Sequence, residues 1–115
     1  MVSKKAHIPE RGDIVWVTLS PTRGHEQSGR RPVLILSPAF YNKSAGTALI
    51  CPITSKQKGY AFEVLFSANK ISGTILADQI RVVDWKARKI TLVDRVGTET
   101  VDRVLEKIIL LIKNE

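Results

Sequence analysis

The apolar positions of this chain fall into short runs over the first four-fifths and into a helical stripe only at the end. Ile14 to Leu19 (Ile-Val-Trp-Val-Thr-Leu) is rich in β-branched and aromatic residues, and Ser20-Pro21 stops it, which predicts a strand. Val33 to Ser37 is a second strand whose unbroken apolar run predicts burial on both faces. Ser37-Pro38 offers a helix start, with Ser37 as cap, Pro38 at the first helical position and one turn over Ala39 to Lys43. Thr47 to Ile53 reads as a third strand, with Pro52 marking an edge or bulge near its end. From Ala61 to Phe66 the pattern alternates: Phe62, Val64 and Phe66 lie on one side, Glu63 and Leu65 on the other. Gly73 to Gln79 and Arg81 to Val83 are shorter extended pieces, Asp84 to Arg88 is a turn, and Leu92 to Val96 a last short strand.

Beyond Thr98 the period changes. Val101, Val104, Leu105, Ile108, Leu111 and Ile112 recur at helical spacing and form one broad stripe, which Ile109 and Leu110 widen toward a second surface. Thr98 suits the cap, and Glu99 and Asp102 suit the positive end of the helix dipole. Short strands followed by one helix predict a mainly β domain with some α: a small barrel or half-barrel capped by the helix. The pattern does not choose among barrel topologies. Residues 1–115 form one domain without repeats, and residues 1–9 are a polar, mobile arm in which His7 is exposed and not a ligand.

A length of 115 residues supports a single modest core, and 43% apolar residues exclude extensive disorder. Eighteen basic against eleven acidic residues give a net charge of +7, which draws in polyanions without proving that nucleic acid is the partner. Cys51 is the only cysteine, so an internal disulfide is excluded, and its apolar run favours a buried small hydrophobe over a nucleophile. No stretch approaches a membrane span and no secretory signal opens the chain, so a cytoplasmic protein is expected. Two histidines and one cysteine lack zinc-type spacing, the acids form no pair of metal sites, and no phosphate-cradling Gly-Lys-Ser/Thr loop is present. No metal and no cofactor are therefore expected.

The candidate chemistry lies in the loop Gly24-His25-Glu26-Gln27-Ser28-Gly29-Arg30-Arg31-Pro32, which is longer than a plain hairpin connection. Glu26 is the only acid between Asp13 and Glu63, a span that also carries Arg23, Arg30, Arg31, Lys43, Lys56 and Lys58. Two readings fit it: a general base working on a polyanion, or an ion-pair partner of Arg30 or Arg31 that pins the loop.

Arg11-Gly12-Asp13-Ile14-Val15-Trp16, the Gly-His-Glu-Gln loop with Arg31-Pro32, Pro52-Ile53-Thr54, Lys58 to Val64 and Ala77-Asp78-Gln79-Ile80 occur in that order. Together they resemble the MazF family of toxin endoribonucleases, which includes PemK and ChpB, over roughly residues 10–88. The resemblance implies an SH3-like barrel, shared with the CcdB gyrase poisons, in a compact homodimer. It also implies a bacterial type II toxin that cleaves single-stranded mRNA without metal, halts growth, and is held by an acidic, MazE-like antitoxin with a flexible segment.

Metal-independent cleavage uses the RNA's own 2′-hydroxyl and leaves a 2′,3′-cyclic phosphate and a 5′-hydroxyl. Glu26 can take the 2′-proton, and a guanidinium fork suits the phosphorane better than an ammonium. The resemblance assigns the fork, and protonation of the leaving oxygen, to Arg31, and a phosphate-holding hydroxyl to Thr54. His25 titrates near neutrality, but the family accepts serine there, so binding or tuning is expected of it. Gln27 belongs with it among the RNA-binding candidates. Arg30 is a phosphate-steering charge or a solvated residue, and Lys56 and Lys58 either hold RNA or decorate a solvated loop. Gln79 and Arg81 enter as groove residues by resemblance alone. Trp16 is expected in the strand core, and Trp85 in either packing or the groove. The rival functions are a non-enzymatic CcdB-type gyrase poison and a plain RNA-binding module.

Overall fold

A computed structural model describes residues 7–19 and 29–113. The strands β1 (Asp13–Leu19), β2 (Gly29–Ile35), β3 (Ala48–Thr54), β4 (Glu63–Ser67), β5 (Ser72–Leu76), β6 (Arg81–Val83) and β7 (Thr91–Arg95) are joined by two helices, α1 (Ala39–Ala45) and α2 (Thr98–Lys113). They form a seven-stranded antiparallel sheet in the order β4-β5-β3-β2-β1-β7, with β6 also on β3. The sheet is curled but not closed into a complete barrel.

Strand β3 is the hub. One edge pairs with β2, placing Val33 opposite Pro52 and Ile35 opposite Ile50. Its other edge takes β6 along Ala48–Ile50 and β5 along Ile53–Thr54. Between β5 and β6 the chain makes a 3-10 turn, Ala77–Gln79, where continuous extension to Gln79 was expected. The turn absorbs the register offset between the two pairings and pushes Asp78 and Gln79 out of the sheet.

Both faces of the sheet are buried, as the unbroken apolar run of β2 requires. Ile14, Leu34, Cys51, Ile53 and Ile75 pack with Val104 and Ile108 of α2 on one face. Val15, Val17, Leu19, Val33, Ile35 and Ile50 pack with Val83 and Trp85 on the other. In β4, Val64 and Phe66 are buried and Leu65 is exposed, in line with the alternation. Gly73 makes the junction of β5 with the end of β3 possible: a Cβ there would sit 2.8 Å from the Thr54 carbonyl oxygen.

Several local expectations are corrected. Ser37 does not cap α1; Pro38 holds that position, while the Ser37 hydroxyl donates to Asn42 Oδ1 and accepts the Leu49 N–H at 2.9 Å. The buried hydroxyl thus satisfies both its donor and its acceptor by joining α1 to β3. The stripe of α2 is buried only as far as Ile108: Val101, Val104 and Ile108 are covered, but Leu111 and Ile112 are 49% and 74% exposed. His7 is exposed yet not idle, since its ring lies 2.8 Å from the carboxylate of fully buried Asp13. Asp13 is also bound by the Arg95 guanidinium and accepts the Glu10 N–H at 2.9 Å, so its buried charge is compensated from three sides. At the far edge, Asp94 ties β7 to the β4–β5 turn, and the Lys70 N–H that it accepts is the main reason its carboxyl lies below the usual range.

Candidate active site

The site is assembled where β2, β3, β5 and the 55–63 segment meet. In an antiparallel pair, residues directly opposite share a face. Val33 faces Pro52, and extending that register by two residues sets Arg31 across from Thr54. Both lie on the Val17–Val33 face, just past the last buried residues of the second core cluster. Arg31 and Thr54 are half-buried there and line one cavity of about 640 Å³ with Lys56, Lys58, Glu63, Asp78 and Gln79.

Thr54 Oγ1 accepts the Lys56 N–H at 3.1 Å, a short side-chain turn that fixes the hydroxyl and leaves its proton for a ligand. Lys56 and Lys58 rise from the exposed 55–60 loop, so the sequence expectation of a basic loop holds and the fold brings it to Arg31. The loop is shaped by Glu63. Its carboxylate accepts the backbone N–H groups of Lys58 at 3.1 Å, Gly59 at 2.8 Å and Tyr60 at 3.2 Å. Three amides directed at one anion form a nest, and the positive φ of Gly59, 80°, permits the bend. The acid is thereby occupied by the backbone.

Gln79 reaches the cavity because the 3-10 turn projects it. Arg81, two residues on, does not line that cavity; it lies in a small neighbouring recess of about 190 Å³ with Asp78, Gln79 and Ile80. Its Nη1 is buried without a hydrogen-bond partner. Arg30 leaves the opposite face of β2 from Arg31 and lines an adjoining depression with Trp16, Pro32, Ile71 and Ser72, whose rim Arg31 and Thr54 share. Trp16 is therefore half-buried at a surface and not in the strand core. Trp85 is packing: it is 5% exposed, and its indole N–H donates to the Asn42 carbonyl at 2.9 Å. Glu26, His25 and Gln27 lie outside the described residues; the connection that carries them ends at Gly29, two residues before Arg31.

Glu63, Tyr60 and Asp78 were missed as site residues. The signal for Glu63 was present, an acid a few residues after a Lys-Gly-Tyr bend, but alternation along β4 explained it equally well. Asp78 became relevant only through the turn that exposes it. Cys51, beneath the site, donates weakly to the Ala77 carbonyl at 3.9 Å. Burial, with a smaller contribution from the Asp78 charge, pushes its thiol up to about 12, so it is inert at neutral pH. Among the described residues no group of three or more His, Cys, Asp or Glu side chains is placed to hold a metal ion. No helix among them is long and apolar enough to cross a membrane.

The chain is 42% identical over 112 residues to the endoribonuclease toxin MazF of Escherichia coli K12, covering 97% of this chain and 99% of that protein. The crystal structure of MazF from Deinococcus radiodurans superposes with a TM-score of 0.87 at 41% identity, over 93% of this chain and 98% of that one. A MazE–MazF structure from the same organism matches with a TM-score of 0.83 at 40% identity, over 96% and 100% of the two chains. The family model of PemK-like, MazF-like toxins of type II toxin–antitoxin systems matches residues 10–112, and the chain belongs to that family.

Proposed function

We propose that this protein is the toxin of a type II toxin–antitoxin pair, an endoribonuclease that cuts single-stranded RNA without a metal ion in the cytoplasm. The observation that carries the reading is the meeting of the Arg31 guanidinium and the Thr54 hydroxyl in one cavity with Lys56 and Lys58 beside it. The relatives reported above are named as endoribonucleases or as MazF, which leaves a gyrase-poison reading without support.

The reaction follows from these groups. Glu26, on the connection that runs into β2, takes the proton of the 2′-hydroxyl; the 2′-oxygen bonds to phosphorus, and the bond to the 5′-oxygen breaks. Arg31 forks two oxygens of the phosphorane, and Thr54 donates its hydroxyl proton to the same phosphate. The leaving oxygen is protonated from the Arg31 side, giving a 2′,3′-cyclic phosphate and a 5′-hydroxyl. His25 and Gln27 on the connection, Lys56, Lys58 and Gln79 around the cavity, and Arg30 and Arg81 beside it bind the strand. The MazE–MazF complex supports an antitoxin partner, and a net charge of +7 suits one that is acidic. Exposed Ile109, Leu110 and Ile112 on α2 offer apolar surface for a homodimer.

The test is cleavage of a long RNA in excess EDTA, beside the same RNA with one 2′-deoxy nucleotide at the mapped cut. Cutting should persist in EDTA and stop at the substituted position. Glu26→Gln should slow it by about 10²–10⁴-fold with binding retained. Loss in EDTA that magnesium restores would overturn the mechanism, and an intact RNA beside inhibited gyrase supercoiling would overturn the function.

A further inference from the structure

On the same face of the sheet as Arg31 lies a second concavity, an open basin of about 860 Å³ that the reaction above does not use. Lys43, Lys86, Arg88 and Lys89 line it, and among the described residues no carboxylate does. The reaction cavity differs: there Arg31, Lys56 and Lys58 face Glu63 and Asp78, so most of the positive charge is offset. Of the two concavities, the basin has the stronger uncompensated field for a polyanion.

Its cations stand on fixed supports. The 84–88 turn is closed by the Arg88 N–H on the Asp84 carbonyl at 3.2 Å and by the Ala87 N–H on Asp84 Oδ1 at 3.0 Å. Asp84, two residues before Lys86, is thus engaged in building the turn that carries Lys86, Arg88 and Lys89. Trp85 bolts the turn to α1 through Asn42, whose neighbour is Lys43. The stem of Lys86 passes over Gly46, 3.4 Å from where a Cβ would stand, at the left-handed end of α1.

Arg88 joins the basin to the active site. Its guanidinium donates to the Thr18 carbonyl, and Thr18 is paired with Arg30 while its neighbour Val17 is paired with Arg31. Arg88 is thereby tied to the strand pair that carries Arg31.

We propose that this basin is a second phosphate-binding surface, which holds the backbone of RNA flanking the cut and acts on capture, not on chemistry or on the choice of cut sequence. The proposal rests on the endoribonuclease reading. An acidic polypeptide would meet the same positive charge, and the test below separates it from RNA. The basin's apolar floor is sunk: Trp85 is buried, and Ile8 and Ile90 are half-covered. Four cationic side chains ring that floor, which suits a polyanionic backbone held without regard to sequence.

The test is equilibrium binding, by fluorescence anisotropy, of two RNAs made uncleavable by 2′-deoxy substitution at the cut. One is a heptamer centred on the cut and the other a 30-mer containing it. The wild-type chain should bind the 30-mer more tightly and with a steeper salt dependence. In the triple variant Lys43→Gln, Lys86→Gln, Lys89→Gln, the 30-mer should weaken roughly tenfold and its salt slope should fall by about two, at about 0.7 per phosphate lost. Heptamer binding should stay as in wild type, and Lys89→Glu alone should move the 30-mer in the same direction. Unchanged 30-mer binding overturns the proposal, as does an equal loss on both RNAs, which would put the lysines in the reaction cavity. Unchanged RNA binding with weaker binding of polyglutamate overturns it in favour of a protein partner. Failure of the function itself reads differently: the wild-type chain would leave unsubstituted RNA intact.

Discussion

Glu63 Oε1 accepts the backbone N–H of Gly59 at 2.8 Å, closing the strand β4 back onto the loop that precedes it. The same carboxylate takes the amides of Lys58 and Tyr60, so one side chain sets the path of the loop that bears Lys56 and Lys58. Besides offsetting charge, the acid organises the loop that bears the cations.

Removing that anchor should loosen the loop without touching the reacting groups. Hydrogen bonds to a charged acceptor are worth about 1.5–3 kcal/mol each in favourable cases, and exposure discounts them here. Glu63→Ala should raise the RNA concentration for half-maximal cleavage by roughly tenfold, and Glu63→Gln should raise it less, since the amide oxygen still accepts. Steady-state kinetics of both variants checks this. A fall in kcat at unchanged KM would place Glu63 in the chemistry instead.

Arg30 and Arg31 carry the same charge at adjacent positions but leave opposite faces of β2. Arg31→Ala should lower the maximal single-turnover rate by about 10²–10³-fold, the usual loss for a preorganised donor to a developing oxyanion. Arg30→Ala should mainly weaken binding and lower its salt slope by about one unit. Equal losses of maximal rate would show that the face of β2 does not separate their roles.

Gly73→Ala tests the seat of Thr54. The added methyl would meet the Thr54 carbonyl oxygen at 2.8 Å and the Ile53 side chain at 3.3 Å, and the former contact is with backbone that cannot swing away. A destabilisation of about 1–3 kcal/mol is expected, as for overpacking elsewhere. Cleavage should fall further than the unfolded fraction explains, because the strand end carrying the hydroxyl must shift. Denaturant unfolding and cleavage rate on one preparation decide it; wild-type activity with reduced stability would detach Thr54 from the reaction.

Cys51 provides a pH signature. Its folded thiol sits at about 12 against an ordinary 9.0, so the neutral form is favoured by the fold. The resulting stability is fully present below about pH 9 and is lost as pH rises toward 12. Wild type should therefore lose stability more steeply than Cys51→Ala between pH 8 and 10.5, and a thiol reagent at pH 8 should label the chain only on unfolding. Prompt labelling of the native protein would contradict the burial.

What the amino-acid sequence determined by itself was local or periodic. Ile14 to Leu19 and Val33 to Ile35 had to be strands because β-branched runs bounded by Pro and Gly have few other stable forms. The terminal helix followed from its 3.6-residue stripe, and the order of short motifs announced the family. It also isolated Arg31 and Thr54 by resemblance, but not their meeting, which depends on the pairing of Val33 with Pro52 across strands remote in sequence. Only the tertiary structure made Ala77–Gln79 a turn, since two strands sharing one edge of β3 must shed residues between them. It alone exposed the end of α2, turned Trp16 outward and Trp85 inward, and gathered Lys43, Lys86, Arg88 and Lys89 into one basin. Periodicity reports which face of an element is apolar; it carries no information about where another element lies, and these placements depend on that.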